Sequence, residues 1–114
     1  MNAVIHVNTH NSSILDKLAT TCDRLVANGV TVVVVASDEG VSALERASGG
    51  DDAHAKLERL VQGGLAVLVC EATVRERELT PAPYCKRTPV GVVEVVRLQA
   101  QGYAYVAVSN SHYR

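Results

Sequence analysis

Cys70 closes the apolar run at residues 65–69 and opens the segment Cys70-Glu71-Ala72-Thr73, where a strand gives way to a helix. A thiol at such a junction can do sulfur chemistry. Backbone N–H groups at a helix start, together with the helix dipole, favour thiolate over thiol, and thiolate is the nucleophile. Arg75, about one turn further on, adds positive charge, and Glu71 opposes it. The ordinary alternative is a buried, inert cysteine that packs as a small hydrophobe.

The other candidates are weighed against Cys70. Cys22 falls on the apolar stripe of a helix and reads as core. Cys85 follows a proline-punctuated loop, where exposure would permit reaction without function. A Cys70–Cys85 disulfide is not expected, because Cys85 enters its strand at the sheet edge opposite Cys70. Five strand residues span roughly 16 Å, beyond the roughly 7 Å Cα limit of a disulfide. His10 and Asn11 lie in a polar loop at residues 8–12, where a histidine can move a proton or steady a thiolate; a solvated loop residue is the plainer account. His6 alternates within a strand and reads as a hydrogen-bonded interior or interface residue. His54 is expected on a solvated helix face and His112 in a frayed end.

Much chemistry is excluded. The four histidines and three cysteines match no zinc spacing, and C-x-x-C, G-x-G-x-x-G, P-loop, G-x-S-x-G and H-E-x-x-H patterns are all missing. No metal and no organic cofactor is therefore expected. Eleven basic and twelve acidic side chains leave a net charge of −1, without the basic stripe that nucleic acid requires. No signal-peptide pattern and no membrane-length apolar run occurs, so a cytoplasmic protein off the membrane is expected, with its odd number of cysteines reduced. The Arg75-Glu76-Arg77-Glu78 run is a solvated helix with local ion pairs sooner than a binding surface.

The elements that must position these residues alternate. Residues 3–7, 31–36, 65–69, 85–88 and 103–108 read as strands, the second and third apolar throughout, as in a parallel sheet covered on both faces. Helices are expected from Ile14 to a left-handed cap at Asn28-Gly29, with Ser13 and Asp16 as a capping box. Further helices run from Asp38 to about Arg46, from Asp51 or Asp52 to Gly63-Gly64, over 72–78 and over 91–101. The 114 residues thus form one α/β domain, a sheet of five mostly parallel strands between helices. Ligands of such sheets bind beyond the strands' carboxyl ends, where loops 8–12, 37–40 and 70–73 should converge. The candidate binding residues around Cys70 are accordingly Asn8, His10, Asn11, Thr73 and Arg75. With 47% apolar residues, no Phe or Trp, and valines 92, 93, 95 and 96 on more than one helix face, the chain should associate with itself.

Four segments resemble the DsrE/DsrF-like family over nearly the whole chain: Val4-Ile5-His6-Val7-Asn8; Gly40-Val41 followed by Leu44; Cys70-Glu71-Ala72-Thr73; and Val95-Val96-Arg97-Leu98-Gln99-x-x-Gly102-Tyr103-Ala104-Tyr105. The last is the most specific. Where the family's cysteine segment often carries Asn, this chain has Ala72. The resemblance implies a flavodoxin-like three-layer α/β/α sandwich assembled as homotrimers or homohexamers. It implies too that some relatives carry sulfane sulfur as a cysteine persulfide, with Cys70 at the family's strand-end cysteine. The leading expectation is a sulfur carrier or sulfurtransferase-like protein exchanging with donor and acceptor proteins. The alternative is a non-catalytic oligomer that binds a small ligand or a partner at the same cleft.

Overall fold

A computed structural model describes residues 1–108; the expectation for His112 lies outside them. Five strands, β1 (Asn2–Val7), β2 (Thr31–Ala36), β3 (Ala66–Cys70), β4 (Lys86–Thr88) and β5 (Ala104–Ala107), form one sheet in the order β4-β3-β2-β1-β5. Every pairing is parallel. The helices are α1 (Ile14–Ala27), α2 (Glu39–Ala43), α3 (Asp51–Gln62), α4 (Glu71–Arg77) and α5 (Gly91–Ala100).

The strand order follows from the connections. From β1 to β4 the chain steps one strand at a time in one direction, so its right-handed crossovers fall on one face. There Ile14, Leu18 and Cys22 of α1, Val41 of α2, Leu57 of α3 and Val74 of α4 close on Ile5, Val34 and Val67 of the sheet. The step from β4 to β5 crosses the sheet the other way and lays α5 on the opposite face. The second core is small: Val95 and Leu98 of α5 on Val4 and Val35. This is the expected three-layer sandwich, with α5 the helix whose buried residues close the second face.

Several local expectations are corrected. The capping box at Ser13 does not form. The Ser13 N–H and hydroxyl both donate to Asn11 Oδ1, each at 2.9 Å, so Asn11 shapes the turn into α1. The third helix is capped by Gly50, with Asp51 and Asp52 inside its first turn, where their charge complements the dipole. α2 stops at Ala43 rather than near Arg46, because the segment after α4 captures its end: Ala82 N–H donates to the Leu44 carbonyl at 2.8 Å, and Glu45 bridges Pro81.

The largest correction is His54. It is fully buried, not solvated. Nε2 lies 2.7 Å from the Ser48 carbonyl, and Nδ1 lies 2.7 Å from Tyr84 Oη. A carbonyl only accepts, so the imidazole donates through Nε2 and its Nδ1 accepts a hydrogen bond from the Tyr84 hydroxyl. Both ring nitrogens are satisfied, which is what makes a buried imidazole tolerable.

Candidate functional site

The crossover reversal positions the site. β3 sends its chain to α4 on one face, while its neighbour β4 sends its chain to α5 on the other. A crevice opens where adjacent strands diverge in this way, the usual ligand position in open α/β sheets. Cys70 and its strand partner Thr88 stand at that point.

Cys70 ends β3 and caps α4 in extended backbone (φ −68°, ψ 113°). It is 5% exposed. Burial pushes its pKa up, but four donors outweigh burial: the Thr73 hydroxyl and the N–H groups of Gly91, Thr73 and Ala72. The net direction is down from 9.0. Two of these N–H groups lie in the first turn of α4, and the third is that of Gly91, the first residue of α5. Polar groups at the starts of two helices that leave opposite faces of the sheet therefore act together to favour the Cys70 thiolate. Ala72, which has no polar side chain, contributes through its backbone.

Gly91 is the residue that sequence reasoning missed. A Cβ there would lie 3.1 Å from Cys70 Cβ, 3.2 Å from Ser37 Cβ and 3.3 Å from the Ala36 carbonyl oxygen. The bare backbone lets α5 settle on the ends of β2 and β3 at once. A glycine opening a helix just after Pro89 was the available signal, since it marks a close backbone approach.

The expected residues divide. Thr73 is nearly buried, and its hydroxyl and N–H both act to lower the Cys70 pKa. Arg75 turns elsewhere: its Nε donates to Glu71 Oε2 at 2.6 Å, and its side chain is 79% exposed. Arg87 Nη1 reaches Glu71 Oε1 at 3.2 Å. Burial acts against the Glu71 charge, but the two guanidiniums hold its carboxyl below the usual value. An open groove of about 600 Å³ runs along these residues, lined by Glu71, Ala72, Arg75, Arg87, Thr88 and Pro89. Asn8 and His10 are exposed on the β1–α1 loop, and Asn11 is engaged with Ser13. The groups acting on the Cys70 sulfur include none of Asn8, His10 and Asn11.

The remaining thiols have no such donors. Burial raises Cys22, fully enclosed on α1, to about 12, with Asp23 adding to the shift. Burial alone raises half-buried Cys85 to about 12. Cys85 precedes β4, whose far end carries Thr88 beside Cys70, so the two thiols stand at opposite ends of the strand pair.

Ser37 continues from β2 across from Cys70. Its Oγ is 2.9 Å from His6 Nε2, and His6 Nδ1 is 3.1 Å from Tyr105 Oη. Asp38, next in the chain, holds a positive φ of 50°, a conformation that costs a non-glycine residue roughly 1–3 kcal/mol. Among the described residues, no group of three or more His, Cys, Asp or Glu is arranged to hold a metal ion, and no helix is long and apolar enough to cross a membrane.

The profile of the DsrE/DsrF-like family matches residues 3–108. Among solved structures, the chain is similar to MTH1491 of Methanobacterium thermoautotrophicum, a protein of unknown function. The two share 25% identity and a TM-score of 0.81 over 93% of this chain and 97% of that one. It is also similar to the ychN protein of E. coli, with 14% identity and a TM-score of 0.70 over 94% of this chain and 99% of that one. That second likeness is one of fold. No curated protein matches.

Proposed function

This chain belongs to the DsrE/DsrF-like family, and on that premise we propose that it is a sulfur carrier using Cys70. The observation that carries the reading is a nearly buried Cys70 set among the backbone donors at the starts of α4 and α5, so close that a Cβ on Gly91 would lie 3.1 Å from its own. Donors so placed stabilise a thiolate both before it attacks and when it is expelled. The Cys70 thiolate attacks the outer sulfur of a donor persulfide R–S–SH. A new S–S bond forms at Cys70, the donor's S–S bond breaks, and the donor leaves as R–S⁻. An acceptor thiolate then removes the outer sulfur, and the Cys70 thiolate is released to its donors. The sulfane sulfur changes hands without net redox change, and no metal or organic cofactor takes part. Donor and acceptor are thiol-bearing partners.

The test is intact-protein mass after exposure to a sulfane donor. Wild type should gain one sulfur, Cys70→Ser none, and Cys85→Ser the same as wild type. Equal loading of wild type and Cys70→Ser would dispose of the carrier reading, as would a failure to load under conditions that load a known carrier. A cleft that then retained a small ligand or a partner would favour the non-catalytic alternative.

We infer also that the protein self-associates through α5, as a trimer or hexamer. Val95 is buried against the sheet, while Val92, Val93 and Val96 are 55%, 61% and 62% exposed on the outer faces of the helix. Apolar side chains so grouped gain from burial against a partner at roughly 25 cal/mol per Å². Light scattering at micromolar concentration should give a mass above that of one chain. A single monomeric species there would refute self-association.

A further inference from the structure

Beside Cys70 stands a hydrogen-bonded chain that sulfur binding alone does not use. Side-chain alternation sets it in place. On β1, Val4 packs under α5 while Ile5 and Val7 enter the larger core, so His6 shares the α5 face with Val4. Val35 of β2 packs under α5, and Ser37 follows two residues later. Ser37 and Cys70 flank Gly91 so closely that one added methyl would press on both Cβ atoms. Beside Cys70 the series runs from Ser37 Oγ to His6 Nε2, then from Nδ1 to Tyr105 Oη on the edge strand β5.

We propose that Ser37 and His6 act as the base that removes the proton from the thiol receiving sulfur, with Tyr105 as the positioning residue; this rests on Cys70 being the carrier. The acceptor is a thiol of ordinary acidity, mostly protonated at neutral pH, which must lose its proton before it can attack. In the productive tautomer His6 Nδ1–H donates to Tyr105 Oη, and Nε2 accepts from the Ser37 hydroxyl. The acceptor thiol R–SH gives its proton to Ser37 Oγ as Ser37 passes its own to His6 Nε2. The R–S⁻ so formed attacks the outer sulfur of Cys70–S–SH. The new S–S bond forms on the acceptor, the bond to Cys70 breaks, and its electron pair stays on Cys70 Sγ. The products are R–S–SH, the Cys70 thiolate and an imidazolium that returns its proton to water.

The surroundings favour a neutral imidazole ready to accept. Burial lowers the His6 pKa from 6.5, while Asp38 in the turn before α2 works the other way. Tyr105 faces His6 from β5, edge to face, with ring centroids 6.0 Å apart. On α5, which crosses β1, Glu94 is engaged by Arg97 and by the Thr88 hydroxyl.

The experiment loads the protein with one sulfur, removes the donor, and follows discharge into β-mercaptoethanol by intact mass between pH 6.5 and 10. His6→Gln keeps a hydrogen-bonding side chain but cannot take the proton. It should discharge about tenfold or more slowly at pH 6.5, a conservative figure for a lost general base. The gap should close as pH passes the acceptor's own pKa, where no proton remains to be removed. Ser37→Ala should show the same shape, and Tyr105→Phe a smaller slowing of that shape. A variant that loads has a folded site, so Ser37→Ala carries the test should His6→Gln fail to load. Discharge slowed equally at every pH, or not slowed at all, in variants that load would overturn the base while leaving the carrier intact. A wild type that never loads would remove the carrier reading and this inference with it.

Discussion

Gly40→Ala should lower stability by about 3 kcal/mol or more, at the upper end of what overpacking costs. A Cβ at Gly40 would fall 1.9 Å from the Val7 carbonyl oxygen and 2.5 Å from its carbon. Neither atom belongs to a flexible side chain. The Val7 carbonyl ends β1 and accepts the Ser37 N–H at 3.0 Å, so it cannot swing aside without opening the junction of β1 and β2. Gly40 itself donates to the Ser37 carbonyl at 2.9 Å, tying the turn together from the other side. Gly63→Ala is the control. Its new Cβ would meet nothing nearer than 3.5 Å, and its φ of −87° suits any residue. Urea unfolding should therefore place Gly63→Ala within about 1 kcal/mol of wild type. Equal stability of the two variants would mean that α2 does not press on β1 as described.

The fold was legible because its elements announce themselves by period. The runs at 31–36 and 65–69 have no polar alternation, which only a sheet covered on both faces accommodates, and both are buried strands. The helical stripe through Ile14, Leu18 and Cys22 is the buried face of α1. His54 was also written in the pattern, since His54, Leu57 and Val61 recur at helical spacing. Its polarity hid it, because the partners that make it tolerable, Tyr84 and the Ser48 carbonyl, come from outside the helix. The end of α2 was hidden for a similar reason. It is decided by Ala82 and Pro81, some 35 residues onward, and no local propensity reports such a contact.

The position of Cys70 was legible, and the arrangement of the residues around it was not. A cysteine ending an apolar strand and followed by helix-forming residues identifies itself, and Cys70 with Thr73 stands where expected. The neighbours were not readable in the same way. Arg75 was chosen for its distance along the helix, yet i,i+4 geometry pairs it with Glu71 instead. Loop 8–12 was chosen because it leaves the same sheet edge. However, α5 and not that loop closes over Cys70, because the crossover to β5 brings Gly91 onto the ends of β2 and β3. Strand order decides which loops meet, and strand order is the part of this fold that a single sequence leaves open. His6 follows the same rule. It reads in the sequence as a hydrogen-bonded interior or interface residue, and its partners Ser37 and Tyr105 are known only once β1 is seen between β2 and β5.

Alkylation by iodoacetamide should choose Cys70 over both other thiols, against the order of exposure. Cys85 is the most exposed of the three, Cys70 is 5% exposed and Cys22 is fully enclosed. Access alone would favour Cys85. Ionisation reverses that order. The donors on Cys70 bring its pKa below 9.0, while burial raises Cys85 and Cys22 to about 12. Cys70 therefore has by far the larger thiolate fraction near neutral pH. The more basic thiolates are intrinsically better nucleophiles, but by only about half a power of ten per pKa unit, so ionisation wins. The sign of the pH dependence follows: Cys70 labelling should rise with pH through a midpoint below pH 9, while Cys85 labelling should still be climbing well above it. Gly91→Ala separates the cause from the position of Cys70 in the strand. The added methyl, 3.1 Å from Cys70 Cβ, should push the sulfur away from the Gly91 N–H and move the midpoint upward, with Cys85 unaffected. Faster labelling of Cys85 than Cys70 at pH 8 would show that exposure governs these thiols, and the donors at the two helix starts would then have no part in activating Cys70.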